Sequence, residues 1–281
     1  MIFDFRMRPP YKSFCNLGIF TSVCNESGPQ KYHAIPSEAA RQKNLDLFWK
    51  EMDEAGISSG VIIGRQLPDD SVSVSNDDIL EMAREYPEKI IPFGSLDITR
   101  GVSQTLDELD RILELGIKGV AMEPACSMPP RKADANVLYP VYAKCEKAGI
   151  PMVLTMSFFQ GDLDFSEPSA VQHAAHDFPR LPFIIAHGAY PWTPMAYQLP
   201  IVCPNIWLLP DIYAYNPMVP GNQMFGEAMR WLDGEHILFG SCYPCYNMKQ
   251  AIDDMRRFNL PPSLLEKFFY KNAMKLLKLP C

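Results

Sequence analysis

Short apolar runs rich in β-branched and aromatic residues recur along the whole chain, and longer stretches with helical spacing separate them. The runs predict buried strands and the stretches between them predict amphipathic helices. We predict eight strands, at Ile2–Arg6, Ser59–Gly64, Ile90–Asp97, Lys118–Glu123, Met152–Ser157, Phe183–His187, Ile206–Asp211 and Ile237–Ser241.

The predicted helices join the strands in a repeated way. Three of them end in nearly the same residues, Glu-Ala-Gly-Ile, Glu-Leu-Gly-Ile and Lys-Ala-Gly-Ile, with the glycines at Gly56, Gly116 and Gly149. Glycine takes the left-handed conformation that closes a helix, so each strand should follow its helix after a turn of a few residues.

Eight strands that alternate with helices predict an α/β fold, a (β/α)8 TIM barrel, with an open doubly wound sheet as the alternative. The helix-to-strand joints are short, whereas the strand-to-helix loops are long, as at Pro9–Pro36, Pro124–Asn136, Phe158–Pro168 and Ala214–Pro220. Long loops on the side of the strands' carboxyl ends are typical of barrel enzymes. We also predict an extra C-terminal helix within Leu260–Leu279 and a single domain over residues 1–281.

Composition excludes several classes of protein. The 281 residues are 47% hydrophobic and 21% charged, which is globular usage, and a net charge of −7 argues against a nucleic-acid partner. No apolar run has the length of a secretory signal or a transmembrane helix, so we expect a cytoplasmic protein without a membrane partner. Eight cysteines in such a chain do not indicate a disulfide framework.

The first predicted strand delivers two arginines to the carboxyl edge. Arg6 and Arg8 share a face because side chains alternate along a strand. Together they form a fork for a carboxylate or phosphate, which predicts a small anionic substrate. The alternative is a structural ion network in which Glu123, Asp211 or Asp97 neutralises them.

His187 ends an apolar strand and is a candidate general acid or base, because imidazole exchanges protons at neutral pH. A hydrogen-bonded core histidine is the alternative. Glu123 and Asp211 also follow apolar strands, where a carboxylate is costly unless it is paired or used, so both are candidate catalytic residues.

Cys242 and Cys245 form a C-x-x-C pair, which invites a redox, zinc or nucleophilic interpretation of Cys242. The sequence has no second pair at zinc-finger spacing and no thioredoxin-like context, so Cys242 is read as a residue that packs near the substrate.

Aromatic residues follow the strand ends as well. Tyr213 and Trp192 are candidate contacts for a flat or cyclic substrate, although aromatic residues also simply fill barrel rims. The stretches Tyr11–Gly28 and Pro29–Pro36 could form a lid over this edge.

The chain resembles the amidohydrolase superfamily, specifically the branch that contains aminocarboxymuconate-semialdehyde decarboxylase. The likeness covers most of the chain. It is carried by Ile2–Arg8, Gly119–Pro124, Leu138–Pro140, Gly149–Pro151, Ile185–Gly188, Ile237–Pro244 and Asn272–Ala273. The resemblance implies a TIM barrel and a small organic acid or ester-like substrate.

The departures from the family pattern concern its metal ligands. The resemblance places Arg6 and Arg8 at the two histidines of D-x-H-x-H, Thr155 at the fifth-strand histidine and Cys242 at the eighth-strand aspartate. Only His187 matches a ligand. Arginine cannot ligate zinc, and a zinc site needs at least three protein ligands, so we expect no metal and no other cofactor. The alternative is zinc or another divalent ion near His187, held with Glu123, Asp211 or Cys242.

These observations predict a metal-independent hydrolase or decarboxylase (lyase) acting on a small anionic, cyclic organic acid or lactone. Arg6 and Arg8 would hold a carboxylate and polarise a carbonyl, while His187 would move protons with Asp211 or Glu123 as its partner. Two alternatives remain, a non-catalytic anion-binding pseudoenzyme and a metal-dependent hydrolase with a rebuilt site. A homodimer or higher homo-oligomer is also possible.

Overall fold

The computed structural model describes residues 1–20, 34–69, 72–157 and 162–280. Part of the predicted lid, residues 21–33, lies outside these ranges. Within the described residues the strands are β1 (Ile2–Met7), β2 (Ile57–Ile63), β3 (Ile90–Ser95), β4 (Gly119–Met122), β5 (Met152–Thr155), β6 (Phe183–Ala186) and β7 (Ile206–Leu209).

The α-helices of the same residues are α1 (Glu38–Gln42), α2 (Leu45–Glu54), α3 (Asn76–Glu85), α4 (Val102–Glu114), α5 (Tyr139–Ala148), α6 (Pro168–Asp177), α7 (Thr193–Ala196), α8 (Leu199–Val202), α9 (Ile212–Tyr215), α10 (Gln223–Trp231), α11 (Met248–Arg256), α12 (Pro262–Glu266) and α13 (Asn272–Leu277). One turn of π-helix, Lys267–Lys271, joins the last two, in the region where one extra helix was predicted.

The strands form one sheet in sequential order from β1 to β7, with parallel pairing. This confirms the predicted α/β class. The alternative, a doubly wound sheet, is wrong, because such a sheet reverses its strand order at a switch point and this one does not. Helices connect the successive strands, as parallel pairing requires.

The predicted helix-to-strand joints have the expected backbone. Gly149 follows α5 with a φ of 70°, and its N–H donates to the carbonyls of Cys145 and Glu146. Gly56 lies between α2 and β2 with a φ of 74°. A residue with a Cβ would be strained in this conformation, so glycine allows each helix to stop within a few residues of its strand.

Most strands end one or two residues earlier than the apolar runs predict. Asp97, Glu123, His187 and Asp211 were placed inside strands, and each lies just beyond one. His187 and Asp211 have φ values of 66° and 43°, which no strand contains. The polar residues therefore begin the loops instead of closing the strands.

The predicted eighth strand, Ile237–Ser241, is not a regular strand. Phe5 N–H donates to the Phe239 carbonyl at 2.8 Å, and Arg8 N–H donates to the Tyr243 carbonyl at 3.0 Å, so the segment still lies along β1. Side chains replace the rest of the ladder. Asp4 accepts the Ser241 N–H at 3.0 Å, and the Tyr215 hydroxyl donates to the Ser241 carbonyl.

Contacts between Cα atoms divide the chain into two compact units. Unit 1 comprises Met1–Ile62, Met82–Ile91 and Pro210–Cys281, and unit 2 comprises Ile63–Glu81 and Pro92–Leu209. The interpretation of residues 1–281 as a single domain stays a prediction.

Each unit has its own aromatic core. In unit 1 the Phe239 ring lies 5.6 Å from Phe268 and 5.0 Å from Phe269, centroid to centroid. In unit 2 the Tyr142 ring lies 5.1 Å from Phe183 in an edge contact. Such edge contacts add to the free energy of burial that each ring contributes.

Among the described residues, none of the helices combines the length and apolar character needed to cross a bilayer.

Candidate active site

The carboxyl end of β1 carries two buried arginines in unit 1. Arg6 and Arg8 are only 3% and 7% exposed, so neither guanidinium is directed into bulk solvent. Burial of a cation is expensive unless anions or hydrogen-bond acceptors surround it. The surroundings of the two arginines therefore determine what this end of the strand can bind.

Arg6 forms an ion pair with Asp211. Its Nη1 donates to Asp211 Oδ2 at 2.5 Å, and both side chains are buried. Asp211 lies directly before the short helix α9 with a φ of 43° and a ψ of −131°, a conformation that is uncommon outside glycine. One of the carboxylates that the sequence proposed as partners of the arginines therefore does pair with Arg6.

Asp4, on the same strand, is completely buried. Its Oδ1 accepts hydrogen bonds from the backbone N–H groups of Arg6, at 2.9 Å, and Ser241, at 3.0 Å. Burial raises the pKa of Asp4 from 3.8 to about 7, although hydrogen bonds from Ser241 and Arg6 act in the opposite direction. Sequence analysis missed this residue, although an aspartate inside an apolar strand was the available signal.

The pair Cys242 and Cys245 occupies a turn beside the arginines. Cys245 N–H donates to the Cys242 carbonyl at 2.9 Å, and Cys242 has a φ of 61°. Their side chains share a hydrogen bond that lowers the pKa of Cys245 to about 7, and the charges of Arg8 and Arg6 lower it as well. The same bond, together with burial, raises the pKa of Cys242 well above its ordinary value. Of the two thiols, that of Cys245 is therefore the easier to ionise, whereas the sequence singled out Cys242.

Glu123 forms an ion pair with Arg65. In unit 2 its two carboxylate oxygens each accept the Arg65 Nε–H at 3.0 Å, and Arg65 Nη2 lies 2.9 Å from Oε2. Near this pair, burial and then the Glu123 charge raise the pKa of Cys126 to about 12. Sequence analysis missed Arg65, which follows β2 by two residues and could have been found by the rule that selected Arg8.

The other carboxylate considered as an arginine partner, Asp97, caps a short helix. Its Oδ1 accepts the Thr99 N–H at 2.9 Å at the start of the 3-10 helix Ile98–Arg100. The Asp97 backbone carbonyl also accepts the Thr105 hydroxyl. These contacts give Asp97 a structural role at the end of β3.

His187 is buried in unit 2 and directly follows β6. Ala186, the last residue of β6, pairs with Leu209, the last residue of β7, and Asp211 follows Leu209 by two residues. Thr155 ends β5 opposite Ala186. Thr155, His187 and Asp211 thus each lie at or just beyond the carboxyl end of a strand.

The two aromatic candidates follow different strands, Trp192 after β6 and Tyr213 after β7. Tyr213 is buried in α9, within unit 1. Trp192 precedes α7 in unit 2 and is partly exposed, and its buried Nε1–H has no hydrogen-bond partner among the described residues. Only Trp192 therefore presents part of its ring to solvent.

Two of the side chains whose types could ligate a divalent metal already have other partners. His187, Asp211 and Cys242 have the side-chain types that ligate zinc. Asp211 accepts a hydrogen bond from the Arg6 guanidinium, and the hydrogen bond with Cys245 and burial raise the pKa of Cys242, whereas zinc binds a thiolate. Arg6 and Arg8 would also repel a cation near these groups.

The comparisons with known proteins agree with the fold. A family model described as amidohydrolase matches residues 27–279. No curated protein matches the chain.

Solved structures are similar over nearly the whole chain. An uncharacterized TIM-barrel protein, Bb4693 from Bordetella bronchiseptica, is 34% identical, with 99% of this chain and 98% of that chain covered and a TM-score of 0.91. A 2,6-dihydroxybenzoate decarboxylase from Rhizobium is 16% identical, with 98% and 96% covered and a TM-score of 0.66. A probable 2-pyrone-4,6-dicarboxylic acid hydrolase from Acinetobacter baumannii is 13% identical, with 99% and 98% covered and a TM-score of 0.65.

Proposed function

Because this chain belongs to the amidohydrolase family, we propose that it is a metal-independent enzyme that hydrolyses or decarboxylates a small anionic, cyclic organic acid. The observation that carries the proposal is the buried arginine pair at the end of β1, at the positions where the resemblance places metal-binding histidines. In this proposal the sheet belongs to a (β/α)8 barrel, with Phe239–Tyr243 in the place of the eighth strand.

The arginines would bind the acidic group of the substrate. Asp211 holds Arg6 through a 2.5 Å contact, which fixes the direction of that guanidinium before any ligand arrives. Arg8 follows on the same segment, and a guanidinium presents several N–H donors in one plane. Two such groups would bind a carboxylate and stabilise the negative charge that develops on a reacting carbonyl.

Proton transfer is assigned to His187. It follows the strand next to the one that delivers Asp211, and a carboxylate partner would orient the imidazole. In hydrolysis His187 would accept a proton from the attacking water, and in decarboxylation it would deliver a proton to the carbon that loses carbon dioxide. Glu123 is a weaker candidate for this role, since Arg65 engages both of its oxygens.

The substrate class is supported by what similar proteins are named for. One is a decarboxylase of 2,6-dihydroxybenzoate, and another is a probable hydrolase of 2-pyrone-4,6-dicarboxylic acid. Both compounds are ring acids of the kind that an arginine fork would bind. Tyr213 and Trp192 would contact the ring of such a compound.

The test begins with binding and then measures turnover. The purified protein is screened by thermal shift against 2,6-dihydroxybenzoate, 2-pyrone-4,6-dicarboxylate and related ring acids, because a ligand that binds the folded state raises the melting temperature. Stabilising acids are then followed for product by chromatography, and metal content is measured on protein purified without added metal.

Variants assign the roles. Arg8→Gln should abolish the thermal shift, and His187→Gln should keep the shift but lose turnover, whereas Arg41→Gln, at an exposed arginine of α1, should change neither. Unchanged turnover in Arg8→Gln and His187→Gln would refute the mechanism. A thermal shift without product would show a binding protein, and near-stoichiometric zinc or manganese that turnover requires would show a rebuilt metal site.

A further inference from the structure

The turn from Cys242 to Cys245 contains two free thiols in unlike electrostatic states. Cys242 is buried, and Cys245 is partly exposed. The turn is closed by the Cys245 N–H, which donates to the Cys242 carbonyl at 2.9 Å, and the two side chains are hydrogen-bonded to each other. Two sulfurs in such a turn are close enough to be joined after a small local movement.

The charges around the turn favour an anion on Cys245. Arg8 and Arg6 act on this sulfur with positive charge, Asp211 acts with negative charge, and Cys242 donates its S–H. The two cations and the donated hydrogen bond outweigh the single carboxylate and the burial, which is why the pKa of Cys245 falls to about 7. The Cys245 thiol therefore loses its proton at a lower pH than an ordinary cysteine does.

The other described cysteines with a shifted pKa behave in the opposite way. Burial raises the pKa of Cys15 and of Cys203, and it raises that of Cys126 and Cys145 to about 12. A thiolate that is partly exposed, cationic in its surroundings and next to a second thiol is the combination typical of peroxide-sensitive cysteines.

We propose that Cys245 is a modification site that reacts with hydrogen peroxide or an organic hydroperoxide, and that Cys242 resolves the product as an intramolecular disulfide. In the first step the Cys245 thiolate attacks one peroxide oxygen and the O–O bond breaks. With one proton, the products are a sulfenic acid and either water, from hydrogen peroxide, or an alcohol, from an organic hydroperoxide. In the second step the Cys242 sulfur displaces the hydroxyl of the sulfenic acid, the S–S bond forms, and the released proton and hydroxide leave as water.

Oxidation would change the charge beside the arginines. The thiolate carries negative charge near Arg8, and the disulfide is neutral. The loss of that anion leaves the arginine pair more positive, so an acidic ligand should bind the oxidised protein more tightly. The chemistry of the turn itself needs no enzymatic activity, so it can be tested apart from the proposed function.

The first test measures alkylation by iodoacetamide near pH 7, with tryptic peptides read by mass spectrometry. The peptide from Trp231 to Lys249 contains both cysteines of the turn, which fragmentation distinguishes, and the peptide from Gly119 to Arg131 contains Cys126 as an internal control. A lower thiol pKa increases the fraction of thiolate but also makes each thiolate less nucleophilic. The gain in thiolate is the larger of the two effects, so Cys245 should react more than about 100-fold faster than Cys126. Equal rates, or a rate at Cys245 that rises without levelling to about pH 9, would overturn the proposal.

The second test adds hydrogen peroxide. The wild-type peptide should lose about 2 Da, and dithiothreitol should restore it, whereas Cys242→Ala should stop at a sulfenic acid on Cys245 that dimedone traps. An unchanged peptide mass in the wild type overturns the proposal, whether or not the variant folds.

Arg8→Gln should slow alkylation at about pH 7 but not at about pH 10, and Arg41→Gln should have no effect at either. Equal slowing by both arginine variants would contradict the role of Arg8.

Discussion

Asp4 makes the stability of the protein depend on pH in a direction opposite to that of a salt-bridged carboxylate. Its pKa is about 7 in the folded protein and 3.8 is its ordinary value, so between these values the folded state retains a proton that the unfolded chain has lost. The stabilisation from this proton is complete below about pH 4 and disappears as the pH rises through about 7. Between about pH 5 and pH 8 the loss amounts to about 2–3 kcal/mol.

Asp4→Asn removes the titration and keeps the shape. The asparagine Oδ1 can still accept the N–H groups of Arg6 and Ser241. Asp4 Oδ2 has no hydrogen-bond partner among the described residues. In the protonated acid this position carries a hydroxyl without an acceptor, and in the asparagine it would carry an NH2 group without an acceptor, so the two forms lose about the same hydrogen bonding. The variant should therefore match the wild type within about 1 kcal/mol near pH 5 and exceed it by about 2 kcal/mol near pH 8.

The assay is urea unfolding followed by circular dichroism at four pH values between about 5 and 8. The free energy of unfolding of the variant minus that of the wild type is followed as a function of pH. Cys245 adds stability with rising pH in both proteins, because its folded pKa of about 7 lies below its ordinary value, and this contribution cancels in the difference. Glu227→Gln, at an exposed carboxylate of α10, is the matched control and should leave the slope unchanged. Parallel pH profiles for Asp4→Asn and wild type would refute the reasoning.

Three further outcomes are expected. Asp211→Ala should destabilise the protein by about 3–5 kcal/mol in urea unfolding, because it leaves the buried charge of Arg6 without this carboxylate, and a loss below about 1 kcal/mol would contradict that account. Glu123→Gln should cost less, about 1–3 kcal/mol by the same assay, because its arginine partner is 24% exposed, and a larger loss than in Asp211→Ala would be inconsistent with this ranking. The thermal shift produced by an acidic ligand should shrink as the pH rises from about 6 to about 8, because Asp4 and Cys245 become anionic near the arginines, and a shift that grows over this range would count against the proposed binding site.

The amino-acid pattern alone determined the class of fold. Apolar runs and a period of 3.6 residues reflect which side chains neighbouring structure buries, and they located seven strands, while the repeated Gly-Ile endings located joints such as Gly149. The pattern could not show that Ile237–Ser241 would lack a regular ladder. Its backbone groups bond to side chains, Asp4 and Tyr215, that lie far away in the sequence.

Alternation along a strand and the direction of the chain are local properties, so the sequence could propose which polar residues follow the strand ends. The choice of partners was decided by the tertiary structure. Arg6 pairs with Asp211 across 205 residues of sequence, and Glu123 pairs with Arg65. The pKa values of Asp4 and Cys245 depend on burial and on nearby charges. Both come from residues that the fold brings together from distant parts of the sequence, so a local sequence pattern could not predict them.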